Sequence, residues 1–390
     1  MRKPLSILIS LFMFLTACTA DGGKVPPLSQ SGVHPGEGSS AYSGSTPEDA
    51  PSSVSVPEST SPPETPPADA VALTSKIVEL EPGLSAVRYD GDYGFDGFLE
   101  KGGAASDRET AQYLVENLAG ELGLDFLGNF FGCSTVTENS PAGGVLFGRN
   151  FDWNTCEAMI VEAHPENGYA SLSTVNMDFI TTGAGNTIEA ALKLDQVRTL
   201  AALYAPLDGM NDKGLAVSVN MIQDSASISQ DTGKPGLTTT TAVRLLLDKA
   251  ANVEEAMELL RQYDLHASMG MMVHFALADS AGRSVAVEYI GNEMSVIETP
   301  VVTNFYLTPG EKYGIGTSQS HTRYETLTNL LEKSPVLTPE GIRDALSSVS
   351  KGNFGEFEST EWSIVMDLAN RTARYYHREN YDNSWLFALG

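Results

Sequence analysis

Gly132 to Trp153 reads GCSTVTENSPAGGVLFGRNFDW, and the fold of the chain turns on this stretch. Cys133 is followed by Ser134, Thr135, Val136 and Thr137. Side chains branched at Cβ suit an extended backbone and fit a helix poorly, so the cysteine opens a strand. Ser140, Pro141, Gly143 and Gly144 then supply turn chemistry, and Val145, Leu146 and Phe147 lead a second strand back. The pattern predicts a β-hairpin. Its return strand carries Arg149 and Asp152, so a cation and a carboxylate arrive at the end where the thiol sits. Taken singly, each residue has an ordinary reading: a lone cysteine is a small apolar core residue, and an Arg–Asp pair at a strand end is a solvated couple of little energetic weight. Their joint occurrence on one hairpin argues for chemistry.

Lys+Arg number 24 against Asp+Glu 50, a formal net charge of -26. Such a balance disfavours a polyanionic partner such as nucleic acid. TTGAGNTIEA, around Gly183 and Gly185, lacks the third glycine and the preceding strand of a phosphate-binding loop, and reads as a plain loop.

Arg2 and Lys3 precede an apolar run from Leu5 to Leu15, too short to cross a bilayer at about 20 residues but suited to a secretory signal. Leu15, Thr16, Ala17 and Cys18 follow as LTAC, which resembles a bacterial lipobox; Cys18 would then become a diacylated N-terminus holding the protein on the outer face of a membrane. An ordinary signal cut nearby is the alternative. From Cys18 to residue 74 the chain is largely Ser, Pro, Gly, Thr and acidic residues. It cannot bury enough apolar surface to offset its ordering entropy and reads as a disordered tether.

The globular part is expected from Ser75. Ile77 to Leu80 and Leu84 to Val87 suggest two short strands, and Ser106 with Glu109 forms a capping box opening a helix through Leu122. Beyond the hairpin, strands are expected at Met159 to Val161 and Tyr169 to Val175, a helix at Asp195 to Tyr204, and a turn at Asp208 to Gly214. An apolar strand, Leu215 to Ile222, follows and carries Asn220. Asparagine is depleted in strands, and a buried amide must satisfy both a donor and an acceptor. Thr238 to Ala250 and Asn252 to Leu260 show helical spacing, a meander of strands follows to Ile297, and Val301 to Thr303 lead into Asn304. Arg323 lies at the opening of the next helix, Thr338 with Pro339 starts the last one, and strands at Trp362 to Leu368 and Ala373 to Tyr376 close the chain. The pattern alone supports a mixed α and β domain with largely antiparallel strands.

A cysteine opening a strand, a turn, then GRNFDW resembles the catalytic hairpin of the choloylglycine hydrolase family of N-terminal-nucleophile hydrolases. That family includes bile salt hydrolases and penicillin V acylases. GMNDKGLAVSVN, ending at Asn220, resembles its second signature, and VVTNF, containing Asn304, its other active-site asparagine; Arg323 matches the remaining arginine by order and helical setting. The resemblance implies an α+β fold, a four-layer αββα sandwich; with the N-terminal reading above, the chain is organised as a signal peptide (1–17), a tether (18–74), a propeptide-like segment (75–132) and an amidase domain (133–390). It also implies a role set. Cys133 attacks the carbonyl of a linear amide, its α-amine shuttles the proton, Asp152 holds that amine, Arg149 and Arg323 shape the field, and Asn220 with Asn304 stabilises the oxyanion or orients the amine.

An amine titrating near ~7.7 to 8.0 can accept a proton from a thiol near ~8.5, so no histidine is needed. The six histidines show no metal-ligand spacing, and no metal or other cofactor is expected. Cys133 lies deep inside the precursor, unlike the cysteine of bile salt hydrolases, so the Gly132–Cys133 bond must first be cut. Glycine there permits a strained turn at low cost. Cys156 is expected in the core. Competing readings are a catalytically degenerate binding lipoprotein, an acyltransferase running through the same acyl-enzyme, and a papain-like protease pairing Cys133 with His266 or His274. A small N-acyl amide is the expected substrate, bile salt, penicillin V, acyl-homoserine lactone and N-acyl amino acid being equally compatible. Met177 to Asn186 and Met221 to Leu237 are the expected pocket loops.

Overall fold

The computed structural model describes residues 67–119, 132–181, 194–354 and 358–389. The chain divides into residues 1–58 and 59–390, and the first unit lies outside the described residues. So do the signal run, Cys18, most of the tether, Leu124 to Phe131 and the Gly183 loop.

Seventeen strands among the described residues form two large sheets and one small pair. The first sheet has nine, in spatial order β1 (Val78–Glu81), β2 (Leu84–Asp90), β5 (Ala158–His164), β6 (Ser171–Asn176), β7 (Asp208–Asn211), β8 (Leu215–Met221), β11 (Val273–Asp279), β12 (Ser284–Ile290) and β13 (Glu293–Glu298). The second has six: β14 (Val301–Val302), β3 (Gly132–Asn139), β4 (Val145–Trp153), β15 (Ser359–Asp367), β16 (Thr372–His377) and β17 (Trp385–Ala388). β9 (Gly236–Thr238) and β10 (Asp264–His266) pair in parallel.

Side chains alternate across a strand with period two, and that alternation builds the layers. On β8, Leu215, Val217 and Val219 face one way, into a core shared with the helices Asp195–Leu203, Thr239–Lys249 and Val253–Leu260. Ala216 and its neighbours on the other face meet Phe147, Phe151, Trp362 and Ile364 of the second sheet. The second sheet's outer face, with Val136, Leu146 and Val365, packs on the helices Ser318–Lys333 and Pro339–Ser348. Helix, sheet, sheet, helix is the four-layer αββα sandwich. Local chemistry agrees with it: Thr238 caps its helix through a reciprocal bond with Thr241, Asn252 and Thr338 cap theirs, and Pro339 occupies the first turn, where its missing N–H costs nothing.

The hairpin forms as expected, with Gly143 and Gly144 both at positive φ in its turn and Cys133 opposite Phe151. Four details depart from the sequence reading. Asp208 to Asn211, expected as a turn, is the buried strand β7, because its backbone completes the ladder between β6 and β8. The Ser106 helix runs Asp107–Leu114 and continues as a π turn to Ala119; Glu109 reaches back to the Ala105 N–H at 2.7 Å rather than to the N-cap. The tether is shorter than expected, since the Val71 N–H donates to the Leu386 carbonyl and Leu73 packs against the inter-sheet core. Finally, β17 and the helix Phe95–Glu100 were not anticipated; the latter begins after Gly94, whose φ of 78 suits glycine.

The segment ahead of Cys133 is integral to the fold. β2 pairs in parallel with β5 along its whole length, and Val87, Tyr93, Phe95 and Phe98 lie in the helix-side core.

Candidate active site

The period-two alternation sends Arg149 and Asp152 to opposite faces of β4. Arg149 points between the sheets, beside Phe151, and reaches the first sheet: Nη1 donates to Asn220 Oδ1 at 2.9 Å, Nη2 to the Val219 carbonyl at 2.9 Å and Nε to Asp208 Oδ2 at 3.3 Å. Asp152 faces the outer helices, where Arg323 Nη1 donates to its Oδ2 at 2.6 Å and the Thr360 hydroxyl to its Oδ1 at 2.7 Å. Lys351 Nζ stands 3.7 Å from the same carboxylate and 2.7 Å from Glu358. Arg323 sits in the second turn of its helix, which begins at Ser318, rather than at its opening.

β14 pairs with Thr135 and Val136 of β3, which brings Asn304 beside the cysteine. The Cys133 backbone N–H donates to Asn304 Oδ1 at 2.8 Å, Arg323 Nη2 donates to the same oxygen at 2.6 Å, and Asn304 Nδ2 donates to the Met221 carbonyl at 2.7 Å. In the uncut chain the peptide nitrogen of Cys133 is therefore held by Asn304, with Asp152 reaching it through Arg323. Asn220 receives Arg149 and the Ser218 hydroxyl on Oδ1, which fixes its amide and turns Nδ2 toward the Val302 carbonyl, 3.4 Å away. All six expected residues thus converge on one cluster, each nearly or fully buried.

Burial pushes the Cys133 thiol above its ordinary range; Arg149 pulls the other way and Asp152 adds to the rise. In the uncut chain the thiol is a weak nucleophile and needs a base. Cys156 is buried in the inter-sheet core as expected, its N–H on Glu361 at 3.0 Å; burial and then the Glu361 carboxylate push its thiol well up.

A narrow pocket opens at Cys133, lined by Leu207, Val219, Met221, Met271 and Val273 with Thr239 and Thr240. Among the described residues of the loops expected to line it, Met221 of the second contributes; Thr239, Thr240 and residues 268, 269 and 271 also line it. Among the described residues no cluster of three His, Cys, Asp or Glu side chains is placed to hold a metal ion.

Two features lie beyond the sequence reading. Asp208, buried between Arg149 and the Trp362 indole N–H at 3.0 Å, was read as part of a turn. Burial pushes its carboxyl up against the pull of Arg149. The other is the His274–Glu288 pair: Nδ1 lies 3.1 Å from Glu288 Oε1, and Nε2 lies 2.8 Å from the Thr303 carbonyl. Both ring nitrogens are thus engaged away from Cys133, His266 lies in β10, and the cysteine opens a strand, so neither histidine makes a papain-like pair. Glu288 also accepts the Leu307 and Thr308 N–H groups, so the pair brackets the segment that carries Asn304.

Burial alone would raise the Glu288 carboxyl, but the His274 ring bond and charge outweigh it and hold it at about 2. A carboxylate depressed on folding contributes stability that is whole above the ordinary glutamate value of about 4.3 and is lost as pH falls toward the folded value. Glu288→Gln should therefore show a flatter dependence of Tm on pH between about 4 and 2 than the wild type; parallel curves from thermal melts would remove the pair from the acid response.

Residues 201–382 match the model of the family described as acyl-coenzyme A:6-aminopenicillanic acid acyl-transferase. Over 99 residues the chain is 30% identical to a penicillin V acylase of Pectobacterium atrosepticum, a stretch covering 23% of this chain and 26% of that one. The match thus spans about a quarter of that relative's length. Similar solved structures are a mutant of the conjugated bile acid hydrolase from Clostridium perfringens, with TM-score 0.49 and 17% identity over 66% of this chain and 92% of that one, and a penicillin V acylase from Agrobacterium tumefaciens, with TM-score 0.44 and 19% identity over 63% and 83%. The family match takes in Asp208, Asn220, Asn304 and Arg323, so over its C-terminal half the chain is similar to the penicillin acyltransferases and, over a shorter stretch, to a penicillin V acylase.

Proposed function

We propose that the protein is a cysteine N-terminal-nucleophile amidase that cleaves linear amides of N-acyl compounds carrying an apolar acyl group. The observation that carries this reading is the convergence of Arg149, Asp152, Asn220, Asn304 and Arg323 on Cys133, at the mouth of an apolar cavity. Once Gly132 is released, the nitrogen that Asn304 now holds becomes an α-amine on the same residue as the thiol. That amine takes the thiol proton as sulfur attacks the substrate carbonyl. Asn220 Nδ2, with its amide fixed by Arg149, donates to the developing oxyanion. The amine then protonates the departing nitrogen, leaving a thioester on Cys133 that water hydrolyses. Asp152 and Arg323 act on the amine through Asn304, and Lys351 offsets the charge of Asp152.

Self-cleavage runs before that amine exists, so the thiol proton passes to the departing peptide nitrogen instead. The thiol adds to the Gly132 carbonyl, the peptide nitrogen leaves as the amine of Cys133, and water releases Gly132 from the thioester. The family model's acyltransferase description favours a second outcome for the same acyl-enzyme, in which an amine replaces water as acceptor.

A panel of chromogenic N-acyl amides tests the reading: turnover of at least one, with acyl transfer on adding a free amine if the second outcome holds. A cut protein inert toward the whole panel would favour the binding lipoprotein. The reading also places the enzyme on the outer face of a bacterial membrane, anchored through Cys18, which labelling with a radioactive fatty acid would reveal. Neither nucleic acid nor a cofactor has a part in it.

A further inference from the structure

A second narrow pocket adjoins the one at Cys133 and shares Thr240, Ser268 and Met269 with it. Leu114, Phe179, Ala201 and Tyr204 wall its far side. The Tyr204 hydroxyl is turned to the Tyr93 carbonyl at 3.2 Å, so its ring is what borders the space. Thr240, Ser268 and Met269 stand between the two spaces, and Met269 is the apolar side chain common to both.

Met269 holds an uncommon backbone conformation, φ 54 and ψ 19, followed by Gly270 at φ 66. Non-glycine residues rarely sit in this left-handed region, and they persist there only where the surroundings over-determine them. Here Asp107 does so. Its Oδ2 accepts the Met269 N–H at 2.7 Å and its Oδ1 accepts the Ser268 hydroxyl at 2.7 Å. The Ser268 N–H is tied in turn to Thr239 Oγ1 at 3.0 Å. Asp107 belongs to the segment ahead of the Gly132–Cys133 bond and, with Thr110, also lines the second pocket; burial pushes its carboxyl up against the pull of the Met269 N–H and the Ser268 hydroxyl.

Resting on the amidase reading for the nature of the ligand, we propose that Met269 is the wall that sets acyl-chain length and that Asp107 positions it. The acyl group is then a straight apolar chain running from the thiol toward Tyr204. A smaller side chain at 269 joins the two pockets and admits longer chains.

The test measures kcat/KM for a homologous series of straight-chain acyl p-nitroanilides on the cut wild type, Met269→Ala, Met269→Gly and Asp107→Asn. Glycine adopts the left-handed backbone freely, so Met269→Gly removes the wall with the least risk to folding. In the Met269 variants the preferred chain should lengthen, with the longest members gaining at least about 10-fold over wild type, the scale expected for accommodating added methylenes. Asp107→Asn should move the preference in the same direction by less, a length-dependent change that mere loosening of the fold would not produce. Labelling of Cys133 by N-alkyl iodoacetamides of increasing length, read by mass spectrometry, gives the same profile without turnover. If no anilide is hydrolysed yet labelling shifts to longer reagents in Met269→Gly, the amidase reading falls and the wall stands. An unchanged labelling profile in that variant overturns the wall.

Discussion

Replacing Cys133 with alanine is expected to leave the chain whole between Gly132 and residue 133 and to lower amide turnover by at least about ten-thousand-fold, because loss of a covalent nucleophile leaves only binding and oxyanion contacts. An intact mass spectrum of the purified protein, beside the wild type, reads the first effect directly. The wild type should separate under denaturing conditions into a chain ending at Gly132 and one beginning at Cys133. Under native conditions the two should stay together, since β2 from the first piece pairs along its length with β5 of the second and both pieces share one core. Cys133→Ser puts a hydroxyl at the same place, and the burial that raises the thiol adds to a far higher intrinsic pKa, so cutting should be much slower than in wild type. Cleavage of Cys133→Ala at the wild-type rate would mean that another agent cuts the bond. Wild-type protein recovered whole yet fully active would remove the need for an α-amine.

Much of this was legible in the chain because the deciding signals are local. The run of Ser134 to Thr137 specifies a strand, Gly143 and Gly144 a tight turn, and the period-two count then separates Arg149 from Asp152 onto opposite faces. Asn220 and Asn304 stood out because an asparagine near the end of an apolar strand needs partners, and the fold provides them. What stayed hidden depends on contacts distant in sequence. Asp208 sits among Gly209, Asn211 and Asp212, residues typical of turns, and only the ladder between β6 and β8 draws that segment into a strand. His274 and Glu288 lie on neighbouring strands of a meander, and nothing in either strand says that the pair will bracket Thr303 to Thr308. The second pocket is harder still, since Asp107 and Met269 are separated by 162 positions and meet through a backbone conformation that methionine rarely adopts.

Asp208 carries the second large effect. Arg149 and Asp208 are both fully buried, and removing one member of a buried ion pair strands the other charge at a cost of about 3–5 kcal/mol. Asp208→Ala should therefore lower Tm by about 10 °C, and it also frees the Trp362 indole N–H that Asp208 now accepts. The isosteric Asp208→Asn separates structure from function. It keeps an acceptor for Trp362 but removes the charge that offsets Arg149, so the guanidinium acts on Cys133 with less opposition. Because Arg149 already pulls the thiol down against burial, the pH dependence of Cys133 alkylation should move to lower pH in Asp208→Asn than in wild type. Double replacement of the pair by apolar residues, Arg149→Met with Asp208→Leu, should restore much of the lost stability while leaving turnover low, because the Asn220 amide then loses the donor that fixes it. A thermal melt and an alkylation profile on these variants decide the matter. A stable Asp208→Ala would deny the pair its structural role, and an unmoved profile in Asp208→Asn would mean that Asp208 does not set the field at the thiol.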